Sequence, residues 1–175
     1  MKKLNSILAT LGIVTSIGFA SLPAKAEQII KNYQNYPQWT RIVNPDVNVP
    51  SKVYPDITFQ SGDTVYIKAG GCVQTGGHGK TWKRYVHPSA DDARLYYGEI
   101  KVPGAINDLT KLSEIVASET AWSPSFVING LNNTTLQLGY IDDGYSDNGY
   151  WGHDNGTGDQ CLNTFGAYVD IWIQR

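Results

Sequence analysis

Apolar and polar residues alternate along most of this 175-residue chain. The runs "TVYIKA" (Thr64 to Ala69), "LYYGEIKV" (Leu95 to Val102), "SFVING" (Ser125 to Gly130), "TLQLGYI" (Thr135 to Ile141) and "AYVDIWI" (Ala167 to Ile173) follow period two. That is the spacing of a strand with one buried face. Val, Ile, Tyr and Trp dominate these runs, as half-buried strands require. Clusters of Gly, Asn, Asp and Pro separate them and supply turns. "WTRIV" marks an earlier strand within Asn35 to Val49, and Leu109 to Ser118 fits either one short helix or another strand. Short strands divided by turn signals predict an all-β fold, a β-sandwich or jelly roll.

Two gaps between strands are long: Gly70 to Arg94 and Asp142 to Gly166. Loops of this length are usually functional or disordered, and a Trp in each (Trp82 and Trp151) points to order. Each gap also holds one of the chain's two cysteines, Cys72 and Cys161.

The N-terminus bears on their redox state. Lys2 and Lys3 precede a mostly apolar stretch, Ile7 to Ala20, and "LPAKA" places small residues at Ala24 and Ala26. This is the layout of a secretory signal peptide, residues 1–26, cleaved after Ala26. The apolar run is too short and too interrupted for a membrane span. The mature chain, 27–175, then suits a single domain, secreted or periplasmic. In an exported protein an even pair of cysteines favours a disulfide, here Cys72–Cys161. Such a bridge would bring both long loops to one end of the sandwich. Lys2, Lys3 and Lys25 leave with the leader, so 11 of the 14 basic residues face all 16 acids and the net charge moves from −2 to −5. With no basic stripe or polybasic patch, nucleic acid and anionic membrane surfaces are poor partners. Two Cys and three scattered His lack zinc-ligand spacing.

The second gap opens with "DDGYSDNGYWGHDNGTGDQC", Asp142 to Cys161, which holds five Asp and five Gly without one Lys or Arg. Crowded carboxylates repel by on the order of a kcal/mol per pair at ~5 Å and an effective dielectric of tens. A bound cation relieves this. The donors on offer are carboxylates, amides, hydroxyls and backbone carbonyls, a hard-oxygen set that suits Ca2+. No register matches an EF-hand. The bland alternative is a solvated turn-rich loop. Aromatic residues stand among these groups: Tyr145, Tyr150 and Trp151 in this loop, and Trp82 and Tyr85, with His87, in the other. Rings that meet the apolar face of a sugar beside groups that bind its hydroxyls form a carbohydrate site. The alternative for Trp82 and Trp151 is that they plug the end of the core.

From "SGDTVYIKAGGCVQTGGHGKTWKRYVHP" onward the chain resembles the small calcium-dependent, galactose-binding bacterial lectins of the PA-IL type. The shared features are Gly62-Asp63 with Val65, Ile67, Ala69 and Gly70, then His87-Pro88, then the acidic loop before "YVDIWI". The resemblance implies a galactose-binding-like jelly roll. It places a calcium-binding carbonyl near Gln74, an acidic ligand at Asp142 or Asp143, and a sugar contact at His87. It matches the family's amide ligands to His153 and Asp154 in "WGHDNG", or in a second register to Ser146, Asp147 and Asn148.

The combined reading is a secreted, calcium-dependent, carbohydrate-binding domain without enzymatic activity. Calcium is assigned to the Gln74 carbonyl, Asp142, Asp143, Asn148 and Asp154. Sugar contacts are assigned to His87, Trp82, Trp151 and His153. Multivalency would make a homo-oligomer useful to such a lectin. Two alternatives stand beside it. One is an envelope or adhesion module with a purely structural calcium. The other is a small glycoside hydrolase using Glu99 and a loop Asp, although no motif pairs a nucleophile with a base.

Overall fold

Val65, Ile67 and Ala69 are fully buried, whereas Thr64, Tyr66 and Lys68 between them are only partly so. This alternation, repeated strand after strand, builds a two-layer protein. The computed structural model describes residues 26–32, 38–76, 82–89, 94–130, 132–150, 161 and 164–175. In chain order the strands are β1 (Gln28–Asn32), β2 (Gln38–Val43), β3 (Ser51–Phe59), β4 (Thr64–Gly70), β5 (Cys72–Gln74), β6 (Trp82–Arg84), β7 (Tyr97–Val102) and β8 (Ile106–Lys111). One helical turn, α1 (Leu112–Ile115), precedes β9 (Phe126–Val127), β10 (Thr134–Ile141) and β11 (Tyr168–Gln174).

One antiparallel sheet runs β1-β2-β11-β4-β9 and a second runs β3-β10-β7-β8, with β5 and β6 forming a separate pair. The inward residues of both sheets share one core. Ile42, Ile67, Val169 and Ile171 of the first sheet and Phe59, Ile100, Leu136 and Leu138 of the second are 0–2% exposed. Burying each such side chain contributes about 1.5–3 kcal/mol. The fold is therefore all-β and sandwich-like, as the alternation implies. Among the described residues no helix is long and apolar enough to cross a membrane.

Several strands escape the period-two reading. β3 contains Pro55, which cannot donate to a ladder. It survives because β3 lies at a sheet edge and its register against β10 jumps between Thr135 and Leu136, the two settings that tolerate proline. The ambiguous stretch Leu109 to Ser118 is both of its alternatives, strand to Lys111 and then the single turn α1. The run Ser125 to Gly130 contracts to the two-residue edge strand β9.

The Gly62-Asp63 pair has a local explanation. Gly62 takes φ +93° in the turn between β3 and β4, a conformation that favours glycine. The Asp63 carboxylate, 2% exposed, accepts the Gln60 N–H at 2.8 Å and Arg175 Nε at 2.9 Å. These contacts fix the β3–β4 corner and belong to folding.

The expected leader falls outside the described residues. Glu27, which cleavage after Ala26 would leave as the first mature residue, is tied into the second sheet. It accepts Lys52 Nζ at 2.6 Å, the Tyr54 hydroxyl, and the Asp46 N–H at 3.3 Å.

Candidate functional site

Cys72 and Cys161 are bonded, with Cα atoms 6.1 Å apart. Both are buried. The bridge does bring the two long loops to one place. Two short backbone pairings reinforce it: Cys72 with Gly166, and Gln74 with Gly149 through reciprocal N–H to carbonyl bonds of 3.0 Å. Gly71 makes this contact feasible. Its φ is +83°, and a Cβ there would lie 2.4 Å from the Gly166 carbonyl oxygen, so any side chain would force the loops apart.

The acidic loop leaves β10 at Ile141 and is then held by buried polar contacts. Asp142 Oδ1 accepts the Gly144 N–H at 3.1 Å, closing an Asx-type turn. The Tyr145 hydroxyl donates to the Tyr140 carbonyl at 3.1 Å. Asn148, 0% exposed, donates Nδ2 to the Val47 carbonyl at 2.9 Å, and the Tyr150 hydroxyl donates to the Pro45 carbonyl at 2.8 Å. Residues 142–150 therefore form a packed wall, although Asp143 and Asp147 remain exposed.

That wall lines a cleft of roughly 330 Å³ together with Thr75, Gly76, Lys83 and Tyr96. Asp142, Asp143 and Asp147 all line it, as does Lys83, whose ammonium lies 5.5 Å from the centre of the Tyr96 ring. Tyr96 has φ +60°, a conformation that costs a bulky residue about 1–3 kcal/mol. Its ring is placed in the cleft wall at that cost.

The electrostatics at Asp142 are unbalanced. Burial pushes its carboxyl above the usual range, and the neighbouring Asp143 carboxyl pushes the same way. The Gly144 N–H and the Asn148 amide oppose the shift. Asp142 Oδ2, Asn148 Oδ1 and both polar atoms of the Gln74 amide are buried without a hydrogen-bond partner among the described residues. Each such group typically costs about 1–3 kcal/mol. Three of the four are oxygens, a donor set that a hard cation satisfies. Among the described residues no three His, Cys, Asp or Glu side chains converge as a ready metal cluster, so carbonyl and amide oxygens would have to complete any coordination.

The residues singled out in the sequence separate into three groups. Asp142 and Asp143 line the cleft, while Asn148 and Gln74 lie buried behind it. The Gln74 carbonyl already accepts the Gly149 N–H, and a carbonyl keeps a second lone pair. Trp82 is 4% exposed within the core and presents no ring face to a ligand. His87 is exposed, but its Nε2 sits 3.0 Å from the Val116 carbonyl and it is not part of the cleft wall. Trp151, His153 and Asp154 lie outside the described residues. Glu99 is on β7; burial raises its carboxyl pKa and Lys111 pulls it back. The sequence reading missed Thr75, Lys83 and Tyr96, which carry no motif, and the side chain of Gln74. Comparisons with family models, curated proteins and solved structures find no match to this chain.

Proposed function

We propose that this is an exported, non-enzymatic, calcium-dependent carbohydrate-binding domain whose cation sits in the acidic cleft. The observation that carries the reading is the buried Oδ2 of Asp142, without a hydrogen-bond partner among the described residues, in a wall shared with Asp143 and Asp147. Repulsion and desolvation there are costs that a divalent ion removes. The buried Asn148 and Gln74 oxygens behind the wall add neutral donors of the kind calcium uses. A calcium ion with open coordination positions also binds the hydroxyls of a sugar, which is the role the resemblance assigns to this loop. The disulfide and Glu27, tied in where a mature chain would begin, are compatible with export.

The test is the melting temperature of residues 27–175 in EDTA, in millimolar calcium and in millimolar magnesium. A calcium-specific rise of about 5–10 °C is expected, from about 2.7 kcal/mol of linkage at a hundredfold excess over Kd. No rise would remove the cation from the reading. A glycan array in calcium and in EDTA then tests the sugar. A second reading, calcium as a purely structural ion, is favoured by the burial of Trp82. It predicts the thermal shift without calcium-dependent glycan binding.

A further inference from the structure

The outward face of the five-stranded sheet carries a second arrangement, which shares no residue with the proposed cation site. Trp172 on β11 stands opposite Trp39 on β2 and opposite Tyr66 on β4. Its ring centre is 5.4 Å from that of Tyr66 and 5.8 Å from that of Trp122. Trp122 is brought beside Trp172 because the neighbouring Ser123 docks on β4. The Ser123 N–H donates to the Ile67 carbonyl at 2.7 Å, and the Ile67 N–H donates to Ser123 Oγ at 2.9 Å. Trp122 is 37% exposed, and the other three rings are half-buried.

A polar row lies one step along the strands. Asp170 stands opposite Arg41 on one side and Lys68 on the other. Its carboxylate, 3% exposed, accepts Arg41 Nε and a terminal Arg41 nitrogen, both at 2.7 Å. The guanidinium is held further between the Trp39 ring at 5.5 Å and the Tyr168 ring at 4.9 Å. Two of its five N–H groups are thereby used, leaving donors for a ligand.

We infer that this face binds a single oligosaccharide chain, the rings stacking on sugar faces while Lys68 and Arg41, the latter held in place by Asp170, take hydroxyls. A saccharide presents these two surfaces side by side, an apolar ring face and a polar rim. Apart from Trp122 the groups sit on strands, and the guanidinium is already fixed, so little ordering is needed on binding. The Trp172 ring is tilted by 37° from Tyr66 and by 60° from Trp122. The rings therefore do not form the coplanar surface that a flat crystalline polymer requires. Trp39 and Tyr66 flank Trp172 on either side, two strand spacings or about 10 Å apart, which is longer than one sugar ring. Affinity should rise with chain length.

The experiment uses residues 27–175 and soluble cello-, chito-, xylo-, manno- and galacto-oligosaccharides of one to six units, followed by tryptophan fluorescence and calorimetry in calcium and in EDTA. At least one series is expected to bind with affinity that climbs through the short oligomers and persists in EDTA. Trp122→Ala should weaken it about tenfold or more. Trp122 is the most exposed ring, so this variant is the one that should fold normally; Trp172→Ala, checked by circular dichroism, should abolish binding. Three outcomes overturn the inference: no binding in any series, binding that Trp122→Ala leaves unchanged, or binding lost in EDTA and insensitive to both tryptophans. The last would keep the acidic cleft as the sugar site while removing this one.

Discussion

Asn148 offers the sharpest perturbation of the acidic cleft. Its Nδ2 donates to the buried Val47 carbonyl at 2.9 Å and its amide stabilises the charged form of Asp142, while its Oδ1 is buried without a hydrogen-bond partner among the described residues. Replacing it with Ala orphans the Val47 carbonyl, at about 1–3 kcal/mol. Replacing it with Asp does the same and adds a like charge near Asp142, about 3 kcal/mol at ~5 Å and an effective dielectric of ~20. A domain of this size loses about 2–4 °C in Tm per kcal/mol. In EDTA near neutral pH, Asn148→Ala should therefore melt roughly 3–10 °C below the parent and Asn148→Asp roughly 8–20 °C below it. Calcium should reverse the order of the two variants. A further carboxylate facing the ion strengthens binding, so the calcium-induced rise should be larger for Asn148→Asp than for the parent and smaller for Asn148→Ala. Differential scanning calorimetry with a calcium titration reads this directly. Equal calcium increments in the two variants would mean that Asn148 Oδ1 does not face an ion, and the cation reading of the cleft would be refuted.

Replacing both cysteines, Cys72→Ser with Cys161→Ser, opens a link spanning 89 residues and should lower stability by about 2–5 kcal/mol, read as the urea midpoint. Because the bridge joins the two loops of the cleft, the calcium increment should fall as well; an unchanged increment would show that the backbone pairing of Gln74 with Gly149 suffices. At alkaline pH the chain should unfold cooperatively. Burial raises the ionisation of Tyr54, Tyr85, Tyr150 and Tyr168 above the ordinary value, and the bond to Glu27 raises that of Lys52. The folded state then holds protons that the unfolded chain has lost, so stability is complete below about pH 10 and declines above it. Absorbance at 295 nm should show these phenols ionising in one step with loss of circular dichroism, and smooth titration of all 11 tyrosines around pH 10 would contradict it.

How far the sequence could be read depended on whether a feature was local. β4, β7, β10 and β11 declare themselves through alternating burial, which is a property of neighbouring residues. β3 does not, because Pro55 is tolerated only through an edge position and a register jump contributed by β10. The disulfide was legible from compartment and from the placement of one Cys in each gap. Asp142 and Asp143 were legible as an acidic pair, but the stranded amide of Gln74 was not, since its environment is supplied by Gly149 across the loop. Attention to loop aromatics led to Trp82, which is core. The ring row was missed because Trp39, Tyr66, Trp122 and Trp172 lie in separate segments, and only the pairing of β2, β11 and β4 makes them neighbours.

Arg41 and Asp170 bear on how these two regions relate. A carboxylate that is 3% exposed, bridged to a guanidinium, is a weak source of stability, because desolvation offsets much of the attraction and a well-packed apolar pair is often as stable or more so. A central strand of a sandwich face would gain from such a pair if folding were its only task. What the ion pair does supply is a fixed, planar donor array between two rings. Asp170→Asn tests this. The amide keeps one bond to Arg41 and turns a buried N–H toward the other guanidinium nitrogen, so the guanidinium gains freedom and stability falls by about 1–3 kcal/mol. If the face binds saccharide, affinity measured on the folded variant should drop severalfold as well. A loss of Tm with unchanged affinity would instead make the pair a structural clasp of the sheet.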